Sequence, residues 1–183
     1  MSDKFLNLYR ITSARANWWN YGNGIYFITT NTYNRERFFS EIINGEVKLL
    51  ACGEVLKETW ERLPGFFSYI SIDDFVIMPD HFHGIIMINQ TPGEEVIIDN
   101  QVFEPNPGYS SEKMSEIALK AGPLARVVGT FKSMVTRKAR KINKQFKWQE
   151  RFYDRIIRDE NGLFAAREYI RMNPLKWEID SPR

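Results

Sequence analysis

Two β-type runs, FFSYISIDDFVIM (66–78) and HFHGIIMIN (81–89), stand with only Pro79 and Asp80 between them. Both are rich in β-branched and aromatic residues, and Pro-Asp is turn chemistry, so the pair is expected to form an antiparallel hairpin. The second run holds both histidines of the chain, His81 and His83. Side chains alternate across a strand, so the two imidazoles project from one face. Phe82 points the other way, into a core if helices cover that side.

The rest of the chain supplies those helices. IYFITTNTY (25–33), after the turn-forming NYGNG, reads as a strand. Leu49, Cys52, Leu56, Trp60 and Leu63 recur at three and four, the mark of an amphipathic helix, which Pro64-Gly65 should stop. Pro123 can open a second helix, whose apolar face is Leu124, Val127, Val128, Phe131, Met134, Val135 and Ile142. FKWQERFYDRIIRD (146–159) reads as a further strand. NGLFAAREYIRMNP (161–174) reads as a short last helix, closed at Asn173 because a residue before proline is pushed away from helical dihedrals. The order β-α-β-β-α-β predicts an α+β, ferredoxin-like fold: one antiparallel sheet with helices on one face, plus a C-terminal helix. Residues 1–183 are read as a single domain, with 1–23 as an N-terminal arm and 91–122 as a flexible insertion. A structureless stretch of that length is uncommon inside a compact domain.

Composition is globular, with 43% hydrophobic and 14% aromatic residues. No apolar run approaches the roughly 20 residues needed to span a bilayer, and MSDKFLNLYR lacks a signal-peptide core. A soluble cytoplasmic protein with no membrane partner is expected. The lone Cys52 excludes an internal disulfide and a Cys-built zinc cage. Charge is unevenly spread: residues 126–158 carry eleven Lys/Arg against Glu150 and Asp154, a net of +9, which leaves −7 on the remainder. Such polarity suits a polyanionic partner, although a solvated helix face gives the same count.

Two imidazoles side by side are two-thirds of a metal site, or else two structural histidines. Tyr169 and Asn173, four residues apart on a helix, lie on one face a turn apart, so a phenol and an amide oxygen could meet one metal. Tyr169 could equally be an aromatic packed under the sheet.

Taken together, NYGNGIYFITTNTYNRERFF, FVIMPDHFHGIIMI, LARVVGTFKSMVTRKARK, WQERFYDRIIRDENGL and REYIRMNPLKW resemble, in this order and spacing, the single-tyrosine HUH transposases. The likeness is to the insertion-sequence and REP-associated tyrosine transposase branch. It implies a ferredoxin-like fold, Tyr169 as the catalytic nucleophile, and His81, His83 and Asn173 as ligands of a catalytic Mg2+ or Mn2+. The implied substrate is single-stranded DNA with a hairpin as recognition element. The implied chemistry is cleavage and rejoining through a covalent 5′-phosphotyrosine, by a monomer or homodimer associated with the nucleoid. On that reading Lys132, Arg137 and Lys138 meet phosphates, while Trp148, Phe152 and Tyr153 either stack unpaired bases or pack in the core. Asp80 or Glu168 could take the phenolic proton through water, and Tyr153 is the runner-up nucleophile.

Two other readings compete. One is a non-catalytic module that binds single-stranded nucleic acid and descends from a transposase. The other is a phosphoesterase acting on small cyclic nucleotides, whose histidine motifs usually occur twice in a chain; here there is one.

Overall fold

The computed structural model describes residues 4–5, 8–9, 23–89 and 122–180. The expected insertion, apart from Gly122, lies outside the described residues. So does the expected N-terminal arm, apart from Asn23 and the paired two-residue strands β1 (Lys4–Phe5) and β2 (Leu8–Tyr9).

β3 (Asn23–Asn31), β6 (Ile70–Ile77), β7 (His81–Asn89) and β8 (Tyr153–Ile157) form an antiparallel sheet in the order β6-β7-β3-β8. The expected hairpin is β6–β7. It joins β3 through an unbroken nine-pair register from Asn23↔Asn89 to Asn31↔His81. Only Tyr153–Ile157 of the expected last strand is extended. Residues ahead of it are tied instead to β3 and its exit, by Gln149 N to Asn31 O and a bridge between Thr32 and Trp148.

Helices α1 (Ala51–Glu61) and α3 (Pro123–Ile142) cover one face of the sheet. The core there is aromatic: Trp60 meets Phe82 at 4.8 Å between centroids and Phe131 at 5.3 Å, all three fully buried. Burial of such a side chain stabilises by roughly 1.5–3 kcal/mol. Gly84 makes room for that cluster, since a Cβ there would stand 2.7 Å from both Phe82 Cζ and Trp60 Cζ2. Pro64 and Gly65 do not simply end α1. After a break at Arg62 they sit inside the one-turn helix α2 (Leu63–Phe66). The sequence reading also passed over the hairpin β4 (Ser40–Ile43) and β5 (Glu46–Leu49), although its Asn44-Gly45 turn, with φ of 54° and 74°, is a strong local hairpin signal.

The opposite face of the sheet carries α4 (Glu160–Asp180), over a second core of Val76, Met78, Ile85, Ile157 and Ile170. Here the sequence expectation is corrected: the helix does not close at Asn173 but runs through Pro174 to Asp180. The bias that proline places on its predecessor is outweighed by packing beyond it. Trp177 joins the second core, and Glu178 accepts from Asn44 N at 3.1 Å.

A β-bulge fixes α4 laterally. Between Ile72 and Phe75 the register shifts, so that Asp73 and Asp74 together oppose one residue of β7. Asp73 binds Arg167 through both oxygens, with Nε at 3.1 Å, and Asp74 binds Arg171 at 3.1 Å. The Arg167 guanidinium holds the Asp73 carboxyl below its ordinary range.

Gly84→Ala should cost about 1–3 kcal/mol in denaturant unfolding, because neither ring can retreat. Asp73→Asn should lower Tm by a few degrees at neutral pH. The native contribution exists above the ordinary carboxylate range near pH 4 and is lost as pH falls through the lower folded value. The native protein should therefore lose more stability than the variant on acidification through that window.

Candidate active site

β3 and β7 put His81 and His83 on the face shared with α4, their rings 4.7 Å apart, both nearly buried. Each ring is held from behind through Nδ1. His83 Nδ1 lies 2.8 Å from Oγ1 of Thr29, its cross-strand partner, and His81 Nδ1 donates to Asp80 Oδ1 at 2.5 Å. Asp80 is itself buried and takes Arg35 Nε on its second oxygen at 3.0 Å. Both Nε2 atoms are left without a protein partner among the described residues. Burial, with His81 and the Arg35 guanidinium close by, drives the His83 pKa well below the usual imidazole range, so this ring is neutral at pH 7.

α4 brings Tyr169 to the pair. Its ring stands edge-on to His83 at 5.3 Å and to Phe27 at 5.7 Å, with Lys176 Nζ 5.6 Å from its centroid. Asn173, one turn on, is buried, and its amide makes no hydrogen bond among the described residues. Beyond Pro174, Trp177 covers His81 at 5.7 Å, and Arg37 lies over the indole at 5.6 Å.

Tyr153 shares this face, because it pairs with Thr29, which pairs with His83; but it stands two strands from the imidazoles and is 54% exposed. Of the residues expected to meet nucleic acid, Trp148 and Lys132 are turned inward. Trp148 is packed against Phe39, Phe131 and Phe146 and donates Nε1–H to Lys132 O. Lys132 Nζ donates to Gln149 O at 2.8 Å and Arg151 O at 2.6 Å, and burial lowers its pKa to about 8. Lys138 pairs with Glu58 at 3.2 Å, and Arg137 is exposed. Of the two candidate bases, Asp80 is committed to His81 and Arg35, and Glu168 pairs with Arg171 at 3.3 Å.

The sequence reading missed Thr29, Arg35, Trp177 and the anchoring role of Asp73 and Asp74. Thr29 was within reach, since it follows from β3–β7 pairing. The others depend on a turn, a bulge and a helix extension that carry no periodic signal.

Among the described residues no helix is long and apolar enough to cross a membrane. No family model matches the chain. Among solved structures, a REP-associated tyrosine transposase bound to a REP hairpin is similar with a TM-score of 0.51 and 18% identity, over 86% of this chain and 70% of that one. That likeness shows a common fold. A protein of Haemophilus influenzae, described as uncharacterized, is 38% identical over 173 residues, covering 92% of this chain and 90% of the relative. At that identity and coverage, the chain belongs to the family of the Haemophilus influenzae protein.

Proposed function

We propose that this protein cleaves and rejoins single-stranded DNA through a covalent bond to Tyr169, with Mg2+ or Mn2+ held by His81, His83 and Asn173, and with a DNA hairpin as the recognised element. The observation that carries this reading is the Tyr169 ring edge-on to His83, which stands beside His81. Core packing alone would not call for two adjacent, nearly buried imidazoles with both Nε2 atoms unpaired next to a phenol.

The donor set fits a divalent cation. A ligating imidazole must be neutral, with its other nitrogen bonded to an acceptor that fixes the ring. Asp80 provides this for His81, Thr29 can provide it for His83, and the low pKa of His83 keeps it unprotonated. Asn173 adds a neutral amide oxygen from the helix that carries Tyr169. A bound cation would supply charge neutralisation at the non-bridging oxygens of the scissile phosphate.

Tyr169 Oη attacks phosphorus and loses its proton to solvent. The bond from phosphorus to the 3′-oxygen breaks, and that oxygen leaves as a hydroxyl after taking up a proton. The 5′-phosphate stays on tyrosine. Because the phosphodiester energy is retained there, a 3′-hydroxyl from another strand end can reverse the step without ATP. The pairs from Asp73 to Arg167 and from Asp74 to Arg171 bracket Tyr169 and fix the helix against the sheet, which limits drift of the phenol from the line of attack.

Incubation with labelled single-stranded oligonucleotides from the flanks of its own gene, with Mn2+ or Mg2+, should give a covalent adduct that survives denaturing electrophoresis. Tyr169→Phe should bind DNA but give none, and Tyr153→Phe should remain active. An adduct from Tyr169→Phe overturns the assignment, while binding without any adduct in the native protein leaves a non-catalytic module. His83→Ala should weaken Mn2+ binding about 10-fold or more, read by electron paramagnetic resonance of free Mn2+, with residual cleavage rising as Mn2+ is raised.

A further inference from the structure

The basic face foreseen on α3 is partly engaged by protein groups, whereas a second cationic surface, not anticipated from sequence, lies against the histidines. After β3 the chain makes a tight turn through Tyr33–Arg35 and continues to Arg37. Asn34 and Arg35 have φ of 52° and 58°, a left-handed conformation that L-residues with bulky side chains rarely adopt. The turn is held there by many bonds. Thr32 Oγ1 donates to Glu36 O at 2.7 Å and Asp80 O at 2.9 Å, and Tyr33 N donates to Lys147 O at 2.8 Å. Arg35 Nη1 donates to Asn31 Oδ1 at 2.7 Å.

Two routes tie this turn to His81. One runs from Arg35 through Asp80 to His81 Nδ1, and the other from Arg37 through Trp177 to the His81 ring. The side chain of Arg35 is 52% exposed even though Asp80 and Asn31 hold it. Arg37 and Lys147 are exposed and meet no carboxylate among the described residues; the one further acid in the turn is Glu36. Lys147 Nζ sits 4.2 Å from the Tyr33 ring centroid, yet Tyr33 remains 43% exposed. Cations alternating with an open aromatic ring are what an unpaired nucleic-acid strand requires, phosphates to the cations and a base to the ring.

We propose that Tyr33, Arg35, Arg37 and Lys147 form a binding rim for the single strand entering the site, with Arg35, Arg37 and Lys147 on its phosphates and Tyr33 stacked on a base. This inference rests on the single-strand reading of the site and adds the surface that carries the strand. The strained turn keeps the rim in one conformation, so little ordering is needed on binding.

The test is fluorescence anisotropy with a labelled oligothymidylate of about 12 nucleotides, which forms no hairpin, in EDTA so that cleavage does not enter. Arg35 is left in place, because its removal strips Asp80 of its cation. The double variant Arg37→Gln, Lys147→Gln should weaken binding several-fold and reduce the slope of log K against log salt by about 1.4, two phosphates at ~0.7 each. Tyr33→Leu should weaken binding about fivefold or more with the slope unchanged, and Tyr33→Trp should restore it. Lys57→Gln, on the exposed side of α1, should bind as the native protein does. Affinities of the rim variants within twofold of native, or an equal loss in Lys57→Gln, overturn the rim. Native protein that fails to bind the oligonucleotide overturns both the rim and the single-strand reading. Loss of binding in the rim variants together with no covalent adduct from the native protein supports the rim and removes only the cleavage step.

Discussion

The nine-pair register between β3 and β7 is the constraint on which the remainder depends. A slip of one residue would turn His81 and His83 into the aromatic core and put Phe82 under α4. Two imidazoles would then sit without Thr29 or Asp80 to satisfy them, and the Trp60–Phe82–Phe131 cluster would lose one of its three rings. Each change costs several kcal/mol, so the stability of the fold and the placement of the site are enforced by the same pairings. Gly84, which clears space for Trp60, helps hold the strand at the right depth on one side. Thr29 serves the same end on the other.

The two faces of the sheet are built differently. Beneath α1 and α3 the contacts are interlocked rings, insensitive to salt or pH. Beneath α4 a smaller apolar core is supplemented by directional groups: the bulged carboxylates, the Glu178 contact with the β4–β5 turn and the tilted contact of Trp177 with His81. Directional bonds fix azimuth and axial position, which a purely apolar seam leaves looser, and they hold the helix that sets the Tyr169 ring edge-on to His83.

Where the sequence carried periodic information, it was readable. Alternation placed the histidines on one face and Phe82 on the other, and Pro123 marked the start of α3 to the residue; three-and-four spacing drew most of the faces of α1 and α3, but Leu49 ends β5, Leu63 opens α2 and Ile142 is exposed at the end of α3. Tyr169 was also legible, as a phenol one helical turn from an amide. What stayed hidden was decided by tertiary contacts. Pro174 signals a helix end, yet Trp177 and Glu178 gain enough by docking to carry the helix past it. Asp73-Asp74 looks like any acidic pair in a strand until the bulge turns both toward α4. Arg35 is one arginine among many, and its bond to the buried Asp80 sets it apart.

Lys132 bears on how the charge of this chain should be counted. It belongs to the stretch with a formal excess of nine positive charges, yet its ammonium is turned inward to two carbonyl oxygens, and its pKa of about 8 makes it a partial charge under mildly alkaline conditions. Lys138, on the same helix, faces Glu58. The counterions that this helix can exchange are therefore fewer than its composition implies, and Lys132 behaves as an internal strut for the segment entering β8. A polyanion drawn to this protein would feel a field shaped by which cations the fold leaves facing solvent: Arg137, Arg140 and Lys141 on the helix, and Arg35, Arg37 and Lys147 beyond the end of β3.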